Sequence, residues 1–130
     1  MDLRIYQDDS EAIGFVIAAL FSQAINLAEM QKWAESVIMD CDDYPDYIID
    51  LIGYSGFLKD IYTVIGFYPA SSLSDRQYLA LVGIADIRGI DRFDTTPSKV
   101  DALAALKREP EILKRFIAEF PFTELCASDA

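Results

Sequence analysis

A chain of 130 residues with 22 acids, 11 bases and no histidine has the length of one domain and a net charge of −11. That charge works against nucleic acid and anionic membrane as partners, and the missing histidine removes the commonest general base and the commonest transition-metal ligand. With an apolar fraction of 52%, eight Phe, seven Tyr and one Trp, a core can form without disulfides or metals.

The expectation is a single helical domain over residues 1–130, all-α, a compact bundle of about six or seven helices. Met1-Asp2-Leu3-Arg4-Ile5, followed by Asp8 and Asp9, lacks the basic start of a secretory signal, and the two cysteines, Cys41 and Cys126, stand far apart in no paired motif. Both features suit a reducing, cytoplasmic setting with free thiols.

Asp8 and Glu11 have the spacing of a capping box ahead of the first apolar run. The run Ala12–Ala28 carries no charge over seventeen residues, but it is short for a bilayer span, and Ser22, Gln23 and Asn26 interrupt it. It therefore reads as a central helix buried nearly all round, with Ile13, Ile17, Leu20, Ala24 and Leu27 along one side. From Ala28 to about Met39 a second helical pattern places Met30, Trp33, Val37 and Ile38 on one face. Asp42-Asp43-Tyr44-Pro45 interrupts it, and a short helix is expected from Pro45, a favoured first helical residue.

Gly53 and Gly56 loosen the chain before Phe57–Phe67, a segment that suits either helix or strand. Pro69-Ala-Ser-Ser is a loop, and Ser74 with Gln77 forms a second capping-box signature. Tyr78, Leu81, Val82 and Ala85 then share a stripe in a helix ending near Gly89. Asp94-Thr95-Thr96-Pro97 reads as a turn and helix start, with Val100, Leu103, Ala104 and Leu106 behind it. Glu109-Pro110 opens the last helix, with a stripe of Ile112, Leu113, Phe116, Ile117 and Phe120, and Pro121 stops it. The bases Lys107, Arg108, Lys114 and Arg115 read as a solvated face, with Glu111 as an available partner.

Recognised catalytic equipment is missing: there is no zinc motif, no phosphate-binding glycine loop and no nucleophile elbow. A calcium loop starting at Asp40 would fit Asp42 but fails at Tyr44, Pro45 and Leu51. The expectation is a protein that is not an enzyme and holds no metal and no cofactor.

Charge is unevenly spread. Residues 1–60 hold twelve acids and three bases, a net of −9, and residues 61–130 hold ten acids and eight bases, a net of −2. Between Asp40 and Tyr54 lie five aspartates, three tyrosines and no base. On a helix from Pro45, Asp43, Asp46 and Asp50 fall along one side, Tyr47 and Tyr54 beside them, and Ile48, Leu51 and Ile52 point to the core. The candidate partner-binding residues are therefore Asp42, Asp43, Asp46, Tyr47, Asp50 and Tyr54. A plain alternative stands beside this: acids are favoured in any helix's first turn, and tyrosines at helical spacing often edge a core.

In overall character, and in the acidic, tyrosine-bearing stretch Asp40–Tyr54, the chain resembles the immunity proteins of bacterial toxin–immunity systems, including contact-dependent growth inhibition. The resemblance implies a protein that binds a cognate toxin domain, often a basic nuclease, and blocks its active site or substrate groove. Two other functions fit the sequence: a helical adaptor or regulatory subunit with an apolar groove, and an enzyme working through converging carboxylates.

Overall fold

The computed structural model describes residues 4–70, 72–90 and 97–125. Among them the fold is all-α: seven α-helices, two short 3-10 turns and no strand beyond an isolated bridge between Tyr6 and Asp9. The helices are α1 (Glu11–Phe21), α2 (Leu27–Asp40), α3 (Tyr47–Ile52), α4 (Ile61–Ile65), α5 (Asp75–Ile87), α6 (Lys99–Arg108) and α7 (Pro110–Glu119). Contacts group the chain into two units, Met1–Ile17 with Asn26–Ser72, and Ala18–Ile25 with Leu73–Ala130. Residues 61–72 are uncharged, so the first unit carries the whole −9 of the amino-terminal half.

In the first unit, the amide of Tyr6 bonds to the carbonyl of Asp9, and the amide of Asp9 to the carbonyl of Tyr6. An exposed ion pair joins Arg4 to Asp9 at 2.9 Å. Helix α1 then begins at Glu11, so Asp8 sits in the turn before it and the expected Asp8–Glu11 capping box does not form. Ser10 occupies the position ahead of the helix. Its buried Oγ accepts the Ala70 amide at 2.8 Å, while Ser72 Oγ donates to Glu11 Oε1 at 2.6 Å, which ties the loop after α4 to the start of α1.

The expected helix over Ala12–Ala28 is two helices. α1 stops at Phe21, Gln23 takes a left-handed conformation, and Asn26 caps α2. The cause is a reciprocal capping box: Asn26 Oδ1 accepts the Glu29 amide at 2.8 Å, and the Asn26 amide donates to Glu29 Oε1 at 3.0 Å. Burial of α1 nearly all round does match expectation, with Ile13, Phe15, Val16, Ile17, Ala19 and Leu20 enclosed. α2 buries Met30, Trp33, Ala34 and Val37 on one face, as its periodicity requires.

The ambiguous segment is helical. A 3-10 turn, Leu58–Asp60, leads into α4, which buries Ile61 and Ile65. Gly66 ends α4 in the left-handed region at φ 89°, and its amide bonds the Tyr62 carbonyl. A side chain there would oppose the turn that releases Phe67 and Tyr68 from the helix.

In the second unit, the expected Ser74–Gln77 capping box is formed and opens α5. Arg88 caps its far end and donates from Nη1 to the Ala24 carbonyl at 2.5 Å. α6 starts after Ser98, whose Oγ accepts the Asp101 amide; Asp94-Thr95-Thr96 lies outside the described residues. Its buried face differs from the expected stripe. Ala102, Ala105 and Leu106 are buried, while Val100 is 76% exposed and Ala104 is exposed. The reason is a close crossing with α5: a Cβ on Gly83 would lie 2.5 Å from the Ala102 carbonyl oxygen. Such an approach selects small residues on both helices. α7 follows its reading, with Pro110 in the first turn, Ile112, Leu113 and Phe116 buried, and Phe120 buried just beyond. Pro121 opens a 3-10 turn instead of continuing α7.

Candidate acidic interface

Helices α2 and α3 pack as an antiparallel pair within the first unit. Gln31 of α2 fixes the far end of α3, donating from Nε2 to the carbonyls of Leu51 at 3.3 Å and Tyr54 at 2.6 Å. α3 is shorter than expected, starting at Tyr47 with Asp46 as its cap, and Asp46 makes no side-chain capping bond. Ile48 and Leu51 are buried as expected, and Ile52 is half-buried. That leaves Asp42, Asp43, Asp46 and Asp50 exposed, with Ile49, 53% exposed, between the last two. None of these four carboxylates forms an ion pair with another described residue. Such charges project their field into solvent instead of being neutralised within the fold.

The tyrosines do not edge this face as expected. Tyr47 is only 6% exposed: its ring meets Phe67 edge-on at 5.7 Å, and its hydroxyl donates to the Ile5 carbonyl. At period 3.6 its position is one turn before Leu51, and both belong to the inward face. Burial, and secondarily Tyr6, push its phenol above the ordinary value. Tyr54 lies beyond the helix, since Gly53 caps α3, and it is half-buried. Its hydroxyl donates to the Phe57 carbonyl and closes the intervening loop. Desolvation first, and Asp60 second, raise its phenol.

Two strongly exposed aromatic side chains that sequence reasoning did not select, Tyr68 and Phe57, belong to the same unit as α3. Tyr68 is 83% exposed and follows Phe67, the ring that touches Tyr47. It packs on half-buried Tyr62 with ring centroids 4.9 Å apart at 43°. Phe57, 73% exposed, has the Lys59 ammonium 5.7 Å from its ring centre. A signal for Tyr68 was present: the residue before Pro69 is kept out of helical conformation, so Tyr68 had to leave the stripe that buries Ile61 and Ile65.

Chemistry elsewhere is sparse. Among the described residues no group of three or more Cys, Asp or Glu is placed to hold a metal ion. Two carboxyl groups do meet at the surface, at the start of α7. A hydrogen bond to Glu111 foremost raises Glu109, and the same bond foremost lowers Glu111, helped by Gln77 and Lys114. Cys41, at the end of α2, is a half-buried free thiol, and Cys126 lies outside the described residues. No helix among the described residues is long and apolar enough to cross a membrane. A scan of protein-family models gave no match, and searches of curated proteins and of solved structures gave none either.

Proposed function

We propose that this chain binds a basic protein and neutralises it, the partner being a toxin domain of the kind met by immunity proteins. The observation that supports this most is the set of four exposed carboxylates, Asp42, Asp43, Asp46 and Asp50, in the unit that carries a net −9. A nuclease must attract a polyanion and so presents a cationic groove. A carboxylate surface complements that groove, speeds the encounter and competes with the substrate's phosphates. On this reading the chain acts by occupancy, without catalysis or cofactor, in the compartment that holds the toxin's target.

The test is inhibition of a basic nuclease domain encoded in an adjoining reading frame. The purified chain should abolish cleavage at a one-to-one ratio, and a variant with all four aspartates changed to Lys should not. Equal inhibition by the two would remove this surface from the function.

A further inference from the structure

We propose that the outer face of α6 pairs antiparallel with the same face of a second copy of this chain. Helix α6 turns Ala102, Ala105 and Leu106 inward, with Ala102 and Leu106 set against Gly83 of α5. On the opposite side Val100, Ala104 and Lys107 recur at helical spacing and are exposed, Val100 by 76%. Half-buried Leu103 borders this stripe. The small side chain of Ala104, at mid-helix, lets another helix approach closely.

The occupant follows from the order of charge along the helix. Asp101 lies in the first turn of α6 and Arg108 in the last. They are seven residues apart, so they share one flank of the helix to within about 20°. Both are exposed, and neither side chain forms an ion pair among the described residues. A second α6 laid antiparallel about a two-fold axis keeps each flank on its own side and reverses the order along it. Asp101 of each copy then stands level with Arg108 of the other, and Ala104 lies next to the axis. Lys107 lays its stem along Leu103 of the other copy while its ammonium stays in water. One helix is thus its own complement, and the opposed macrodipoles favour the same arrangement. α6 holds three bases against one acid, so the helix adds no excess of acid to the seam. The pairing uses none of Asp42, Asp43, Asp46 and Asp50, and it stands or falls apart from the proposed function.

Sedimentation velocity of the full chain should show mass rising toward the dimer between about 10 µM and 1 mM, a range suited to an interface below the standard size. Asp101→Arg and Arg108→Asp should each weaken association at least about tenfold, because like charges then meet at both ends of the seam. Net charge falls in magnitude in the first variant and rises in the second, so overall repulsion does not explain a loss in both. Mixed one to one, the two variants should associate within about threefold of the original, since every acid of one then faces a base of the other. Ala104→Arg, at an exposed helical position, should abolish pairing and keep the circular dichroism spectrum. A chain that stays monomeric up to about 1 mM overturns the pairing. Association that Ala104→Arg leaves intact, or that the mixture of folded variants fails to restore, also overturns it. Should either charge variant lose its helical spectrum, Ala104→Arg decides by itself.

Discussion

The Tyr47 hydroxyl donates a hydrogen bond to the Ile5 main-chain carbonyl, joining α3 to the segment before α1 across 42 residues of chain. Ile5 is itself buried, so its carbonyl has little access to water as a substitute partner. Tyr47→Phe keeps the ring against Phe67 and removes only the donor. It should cost about 1–3 kcal/mol, the penalty for orphaning a buried acceptor, measured by urea unfolding.

The same residue gives the fold an alkaline limit. Burial first, and Tyr6 second, raise the Tyr47 phenol above its ordinary value near 10. The folded chain therefore keeps a proton that the unfolded chain releases. Stability from this difference is complete below about pH 10 and falls as the pH rises beyond it. Tyr62 is raised by the same main cause and adds to the slope. In unfolding curves above about pH 10, Tyr47→Phe should show a shallower decline than the original chain; an equal decline would assign the proton to other tyrosines.

Gly83 marks a close crossing of α5 with α6. Gly→Ala in an exposed helix interior normally stabilises by about 1 kcal/mol. Here the added methyl would stand 2.5 Å from the Ala102 carbonyl oxygen and 3.1 Å from the Leu106 Cβ. Backbone cannot yield as a side chain can, so overpacking should reverse the sign. Gly83→Ala should destabilise by about 1–3 kcal/mol, read from the urea midpoint. A rise in the midpoint would mean that α6 moves away freely.

Helix starts offer a contrast among three pairs spaced three residues apart. Asn26→Ala removes an acceptor that bonds the Glu29 amide and should cost about 1 kcal/mol. Ser74→Ala should cost a similar amount, about 1 kcal/mol, by removing the bond to the Gln77 amide. Asp8 precedes a helix in sequence but caps nothing, so Asp8→Ala should stay within about 0.5 kcal/mol. Thermal unfolding of the three variants orders them; a large loss for Asp8→Ala would restore it as a cap.

These pairs also show what was legible in the sequence. Periodicity exposes helices whose buried face is set by one large apolar side, and α7 followed it. In α5 Leu81, Val82 and Ala85 are buried as expected, but Tyr78 is exposed and every residue from Ala80 to Asp86 is buried, so no single stripe sets its face. The break after Phe21 was hidden because the capping box Asn26–Glu29 lies inside an uncharged apolar run, where hydropathy outweighs local hydrogen bonding in the reading. α6 was misread for a different reason. Its face is chosen by the approach to Gly83, a tertiary constraint that favours Ala102 and turns Val100 to solvent. In the acidic stretch the exposure of the aspartates was legible, since charge stays hydrated. The fate of Tyr47 was not, because a tyrosine beside aspartates can turn inward when a carbonyl such as that of Ile5 accepts its hydroxyl.

The binding surface makes a prediction about rates. Asp42, Asp43, Asp46 and Asp50 are exposed and without ion pairs among the described residues, so they act mainly at a distance, before contact. Long-range attraction raises the association rate and weakens as salt shortens the Debye length from about 10 Å at 0.1 M to about 3 Å at 1 M. Changing all four to Lys alters the local charge by eight units, yet each site is at the surface, so the variant should keep its helical circular dichroism spectrum. Its association with a basic nuclease domain should slow by at least about tenfold, or about 1.4 kcal/mol in the barrier. The difference between the two chains should shrink as salt rises, because screening removes what the substitution removes. Stopped-flow mixing at two salt concentrations measures both effects. If the four-Lys variant associates as fast as the original at low salt, the carboxylates are only a hydrated helix start, and the steering charge must be sought at Asp8, Asp9 and Asp60.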